Sequence, residues 1–234
     1  MSSMTTILCS NYNSKDWISS YLGYLNKQII KEFDVIFVDA NSTDESLDII
    51  KNYNFRPGIN KKIIEHTTRI PIYEAWNEAI LNASTPYVMN YNTDDCLYPT
   101  ALLTCQAYAM LNPSVDIFYS PCLVSSDKDH KAISNIYLWR DYSHQSLLDG
   151  CFMGPYPYLK RASVIEDGLF NPKYTISGDY EMWLRMSKKG RSFYRIPEVV
   201  GCYFNNPIGM STSKNEERMR NHWAQDTEIR SMHK

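Results

Sequence analysis

The sequence predicts an α/β fold: a doubly wound, mostly parallel central sheet flanked by helices. Three observations predict it. Over the first 120 residues, short apolar β-type runs alternate steadily with amphipathic helical runs, as successive βαβ crossovers do. The run FDVIFVD (Phe33–Asp39) is apolar almost throughout, as a strand covered on both faces requires. Three of the β-type runs end in short loops of Asn, Ser, Thr and Asp, at Ser10–Asn13, Asp39–Asp44 and Asn92–Asp95. Open α/β sheets bind ligands at such strand carboxyl ends.

In chain order, Thr5–Cys9 is the first strand. Asp16–Gln28 is a helix with Trp17, Tyr21, Tyr24, Leu25 and Gln28 on one face, spaced by three and four. Phe33–Asp39 is the second strand. Ser42 and Glu45 have capping-box spacing, which predicts a helix from Thr43 to about Tyr53. KKIIEH is a third strand. Ile72–Leu81 is a helix with Pro71 at its start, where a missing N–H costs little. YVMNY, a helix over PTALLTCQAYAMLN, and Val115–Ser120 follow. Residues 121–150 read as a connecting region with a hairpin around SSDKDHKAIS. Beyond it come a helix ending at Gly168 and a helix from Gly178 stopped by Gly190. A strand-like SFYRIPEVVGCYF and a charged C-terminal helix complete the chain.

Composition excludes several function classes. The 234 residues are 44% hydrophobic and 21% charged with net charge −2, so a full core is available and no basic surplus points to nucleic acid. The six cysteines form no C-x-x-C pair and read as reduced thiols of a cytoplasmic protein. No segment resembles a signal peptide, and no apolar run approaches the ~20 residues of a spanning helix. Any membrane contact is expected through the protein surface. The five histidines form no zinc-site pattern, and G-x-S-x-G, P-loop and G-x-G-x-x-G motifs are missing, which removes the corresponding hydrolase, NTPase and dinucleotide readings.

What remains is a set of acids. Asp94 and Asp95 are adjacent at the end of an inner strand. They read either as a solvated turn before the next helix or as ligands of a hard divalent cation that relieves their repulsion and brings in a diphosphate. Asp39 reads as a strand terminator or as a hydrogen-bond acceptor for a nucleotide. Asp179, at the start of a helix, reads as its cap, as a general base, or as both. A base there is expected to be held ionised by the helix N-terminus.

In this order and spacing the blocks resemble GT-A fold glycosyltransferases of family 2, the inverting group that builds bacterial and viral surface glycans. TTILCSNYN is similar to the family's first strand, VDANSTDES to its V-D-x-x-S-T-D-x-[ST] loop, and IPIYEAWNEAILNASTPYVMNYNTDD to the segment leading into its D-x-D strand end. GPYPYLKR, ISGDYEMWLRMSKKG and GCYFNNPIGMST resemble the acceptor-side block of one subgroup. The resemblance implies one domain over residues 1–234, with a nucleotide-sugar-binding half (1–120) and an acceptor and catalytic-base half (121–234). It implies that Ser10, Tyr12, Asp39, Arg69 and Asp94 bind the donor nucleotide. Asp95, with Asp94 secondary because Asn92 stands where many relatives carry the leading acid, would hold Mn²⁺ or Mg²⁺. Asp179 would deprotonate the hydroxyl of a glycan or lipid-linked acceptor. Two departures bear on the substrate. Asp39 is followed by Ala40 where many relatives carry a second acid, and the Q-x-x-R-W motif of processive synthases is missing, which implies single-sugar transfer. A sugar-1-phosphate nucleotidyltransferase would need a Gly-rich loop after the first strand, and CSNYNSKD has no glycine. A non-catalytic glycan-binding relative would have no need of the four acid positions.

Overall fold

A computed structural model describes residues 3–209, 212 and 215–234. The first half alternates as expected: β1 (Thr5–Asn11), α1 (Lys15–Asn26), β2 (Phe33–Asp39), α2 (Ser46–Asn52), β3 (Ile59–Glu65), α3 (Ile72–Asn82), β4 (Tyr87–Asn90), β5 (Cys96–Leu97), α4 (Ala101–Leu111) and β6 (Ile117–Tyr119). The second half holds β7 (Cys122–Ser125), β8 (Ile133–Tyr137), α5 (His144–Leu148), β9 (Tyr158–Lys160), α6 (Arg161–Glu166), α7 (Gly178–Lys188), β10 (Phe193–Arg195), β11 (Gly201–Phe204) and α8 (Glu216–His233).

The main sheet has seven strands in the order β10-β6-β9-β4-β1-β2-β3. β1, β2, β3 and β4 are mutually parallel neighbours, so their carboxyl ends share one edge. Alternation along the buried strands sorts side chains onto two faces. Ile7, Cys9, Val35 and Phe37 pack with Ile18, Tyr21, Leu22 and Leu25 of α1. Leu8, Ile36 and Val38 pack on the other face with Ala75, Ala79 and Ile80 of α3 and Met182 and Trp183 of α7. The chain runs outward from β1 through β2 to β3 and then returns to place β4 on the other side of β1. That reversal opens a crevice between the loops after β1 and β4, where such sheets bind ligands.

Three features depart from the sequence reading. β9 lies antiparallel between β4 and β6; its three residues follow Pro155 and Pro157 and are too few for a strand periodicity to register. A second sheet, in the order β5-β11-β7-β8, packs beneath the β4 loop, and its β7–β8 pair is the hairpin expected around SSDKDHKAIS. The helix expected from Thr43 begins only at Ser46, with Glu45 at its N-cap and no capping box. Ser42 cannot cap because its hydroxyl donates to Asp39 Oδ1 at 2.6 Å, and Glu45 pairs with Lys15 at 2.8 Å instead. No helix among the described residues is long and apolar enough to cross a membrane.

Candidate active site

A cleft of about 810 Å³ opens at the crevice between β1 and β4. Ser10, Tyr12, Arg69, Asp94 and Asp179, five of the seven residues singled out from the sequence, line it together. Asp39 and Asp95 are 1% exposed and stand behind its wall. A smaller depression of about 230 Å³, beside Asp34, Lys61 and Lys62, lies at the opposite end of the strands, away from the acids.

Asp39 ties two loops together. Its Oδ1 accepts from Asn11 Nδ2 at 2.6 Å and from the Ser42 hydroxyl, and its Oδ2 accepts from Ser42 N at 3.0 Å. The Asn11 amide also reaches Ser42 and Ser46 Oγ, each at 3.1 Å. Asn13 and Asn41 adopt positive φ, 49° and 62°, a region asparagine tolerates better than most residues. The Asn13 side chain accepts from Thr43 N at 2.8 Å. The direct nucleotide contact expected of Asp39 therefore competes with bonds already made inside its own loop. At the cleft mouth the Arg69 guanidinium lies 4.2 Å over the Tyr12 ring, a cation–π contact that fixes a positive charge at the entrance.

The two acids after β4 point in opposite directions. Asp94 faces the cleft, where its Oδ2 accepts from Asn206 Nδ2 at 2.9 Å. Asp95 faces inward, where its Oδ1 accepts from Phe204 N of β11 at 3.0 Å, and its buried Oδ2 has no hydrogen-bond partner. Burial, and then the neighbouring Asp94 charge, push the Asp95 carboxyl well above the usual range. The opposed orientation of the two carboxylates eases the repulsion that the raised Asp95 pKa reflects. Of the two, Asp94 presents its carboxylate to the cleft, whereas Asp95, expected as the leading cation ligand, is turned toward β11.

This donor set suits a hard cation. Asn92, Thr93 and Asp94 offer oxygen ligands on the cleft wall. No group of three or more His, Cys, Asp or Glu among the described residues forms an all-protein metal cage. One carboxylate completed by substrate phosphates is a usual set for Mg²⁺ or Mn²⁺.

Asp179 lines the same cleft from the first turn of α7. Its Oδ1 accepts from Tyr180 N at 2.9 Å and from the Tyr73 hydroxyl at 3.2 Å. Burial nonetheless raises its pKa, so desolvation outweighs the helix N-terminus and the expected depression is corrected. The Tyr73 hydroxyl is shared with Ile176 O at 2.7 Å. Gly178 makes this possible, since a Cβ there would come within 2.8 Å of the Tyr73 ring. From α8, Gln225 Oε1 accepts from Ile176 N and Ser177 N at 3.0 and 3.1 Å, and its amide donates to Thr175 Oγ1 at 3.1 Å. The sequence reading named neither Gln225 nor Asn206. Both are single polar residues whose role depends on contacts between segments far apart in the chain.

Comparison with known proteins agrees with this geometry. The profile described as Glycosyl transferase family 2 matches residues 6–157. The chain belongs to glycosyl transferase family 2. Among curated proteins, this glycosyltransferase domain is 26% identical over 225 residues to a chondroitin synthase of Pasteurella multocida (strain Pm70), covering 94% of the chain but 22% of that relative. Among solved structures, S. aureus TarS 1–349 in complex with UDP superposes with a TM-score of 0.75 at 18% identity, covering 100% of this chain and 65% of that one. The mannosyltransferase PcManGT from Pyrobaculum calidifontis, in complex with GDP-Man and Mn²⁺, gives 0.71 at 17% identity, covering 97% and 65%. The chain thus spans about a fifth of that synthase and under two thirds of each of these structures. At these identities the structural likeness establishes a shared GT-A type fold.

Proposed function

We propose that the chain is a metal-assisted, inverting glycosyltransferase that moves one sugar from a nucleoside-diphosphate sugar to a hydroxyl of a glycan or lipid-linked acceptor. The observation that carries this reading is that Asp94, after β4, and Asp179, from the first turn of α7, line one cleft. One suits the departing diphosphate and the other the incoming hydroxyl. Two structural neighbours, TarS in complex with UDP and PcManGT in complex with GDP-Man and Mn²⁺, support a nucleotide-sugar donor and a divalent ion. In this reading residues 1–234 form one catalytic domain, with the donor half over 1–120 and the acceptor half over 121–234. A cytoplasmic location is part of the same proposal.

Ser10 and Tyr12 frame the nucleoside, and Asp39 holds their loop against the Ser42 loop. Arg69 supplies positive charge toward the diphosphate. Asp94, with the oxygens of Asn92 and Thr93, would hold Mn²⁺ or Mg²⁺, which when bound would neutralise the leaving group. The two hydrogen bonds on the Asp179 carboxylate fall on Oδ1, which leaves Oδ2 to take the acceptor proton. Its pKa, raised by burial, makes its ionised form a stronger base than an exposed aspartate.

Calorimetry with UDP, GDP and dTDP in Mn²⁺, with turnover read as nucleoside diphosphate release, tests the assignment. Asp94→Asn should lose metal-dependent nucleotide binding. Asp95→Asn, which can still accept from Phe204 N, should keep it. Asp179→Asn should bind as wild type and lose turnover by about 10²–10⁴-fold. A wild-type protein that binds none of the three diphosphates would overturn the proposal.

A further inference from the structure

His130 lies at the tip of the β7–β8 hairpin, outside the cleft wall, in a conformation that needs a reason. Its φ is +58°, a left-handed backbone that L side chains adopt at a cost. The tip is built to hold it there. The Asp127 carboxylate accepts from Asp129 N at 2.8 Å, from Lys131 N at 3.2 and 3.3 Å, and from Ala132 N. The Asp127 carbonyl accepts from His130 N at 3.2 Å. This cage aims the imidazole inward, edge-on to Tyr24 and Phe204. Its Nε2 lies 3.1 Å from the backbone oxygen of Asp94. A carbonyl only accepts, so Nε2 carries the proton, and Nδ1 faces the Tyr24 hydroxyl at 3.5 Å. Burial pushes the ring below the usual histidine range, and the Nε2–H donor is present whether or not Nδ1 is protonated. A strained residue held by its surroundings marks a position where the side chain is used.

We propose that His130 is a positioning residue for the diphosphate site: it pins the Asp94–Asp95 peptide so that Asp94 faces the cleft while Asp95 faces β11. Several bonds hold this dipeptide: His130 on the Asp94 carbonyl, Asn206 on the Asp94 carboxylate, Phe204 N on the Asp95 carboxylate, the Tyr91 hydroxyl on the Asp95 carbonyl, and a long bond of 3.3 Å from Asp95 N to Asn92 O. The His130 bond is the shorter of the two on the Asp94–Asp95 peptide plane, so without it only the 3.3 Å bond from Asp95 N to Asn92 O restrains that plane and the direction of the Asp94 carboxylate loosens. Outer partners of this kind commonly tune metal affinity by about 10–100-fold. The inference rests on the reading of Asp94 as the cation and diphosphate ligand.

The test is the Mn²⁺ concentration that gives half-maximal binding of UDP, GDP or dTDP by calorimetry, with melting temperature measured in parallel. His130→Phe keeps a ring between Tyr24 and Phe204 but removes the donor, and it should raise that concentration about 10–100-fold. His130→Gln restores an N–H donor at similar reach, and it should return the value to within about threefold of wild type, on the same scale. A merely structural role would lower the melting temperature of His130→Phe and leave the Mn²⁺ midpoint unchanged, and that result overturns the inference. Equal weakening in both variants also overturns it. If wild type binds none of the three diphosphates, the glycosyltransferase reading fails and takes this inference with it; wild-type binding with an unmoved His130→Phe midpoint defeats this inference alone.

Discussion

The protonation of Asp179 is set by two opposed effects of known sign. Burial raises its pKa, and the hydrogen bonds from Tyr180 N and the Tyr73 hydroxyl lower it. The active form of a base is the ionised one, so turnover should fall as pH drops through that pKa, at a higher pH than for an exposed aspartate. Tyr73→Phe keeps the ring that Gly178 packs against and deletes one of the lowering bonds. The acid limb of its kcat profile should therefore move to higher pH than in wild type, with donor affinity unchanged. A limb that stayed in place or moved lower would show that Tyr73 does not tune the base. The same residue shows what the sequence could and could not convey. The position of Asp179 at the start of an amphipathic helix was legible from SGDYEMW, but the sign of its shift was not. A helix N-terminus is local and can be read, whereas the burial that outweighs it depends on packing that the local sequence does not show.

Most of the elements were legible because their periodicity is long. β2 and α3 bury unbroken or regularly spaced apolar residues, and their limits match the sequence reading to within a residue. β5 and β9 have two and three residues, below the length at which a period can show, and β9 carries the antiparallel insertion that the alternating pattern did not predict. α2 was shortened for a chemical reason, since Ser42 serves Asp39. α8 was foreseen as a charged helix, but its role lies in its contacts. Gln225 makes three hydrogen bonds to residues 175–177, and Asp226 Oδ1 accepts from the Ser177 hydroxyl at 2.6 Å. α8 thus clamps the segment that delivers Asp179 and that supplies Ile176 O to Tyr73. Each bond contributes about 1 kcal/mol, so Gln225→Ala should loosen the segment by about 1–3 kcal/mol. Amide exchange at Ile176 and Ser177 should speed up by about tenfold or more, a factor of ten being about 1.4 kcal/mol. Turnover should fall while UDP affinity in Mn²⁺ holds. Unchanged exchange at those two amides would show that the clamp carries no energy.

At the scale of the whole molecule, the cleft joins parts that pack separately. Its walls come from the loops after β1 and β4 in the main sheet, from the segment after β11 in the second sheet, and from the start of α7. A ligand touching all of them stabilises the folded state by mass action, about 2.7 kcal/mol at a hundredfold excess over its dissociation constant. A chain of 234 residues gains roughly 2–4 °C for each kcal/mol, which predicts a rise of about 5–10 °C for the right diphosphate with Mn²⁺. The components should not add. A cation alone meets one carboxylate at the end of β4, Asp94, and a diphosphate alone meets that carboxylate unscreened, so each by itself should shift the melting temperature by far less than the pair. Screening UDP-, GDP- and dTDP-sugars with and without Mn²⁺ reads both the nucleotide and this synergy. Sequence leaves the nucleotide open at Ala40, and the geometry adds that Asp39 is already bonded within its own loop. Discrimination between bases is then expected to rest on Tyr12 and Asn13 at the cleft mouth. Additive shifts from metal and nucleotide would place them at separate sites and remove the basis for coupling Asp94 to the diphosphate.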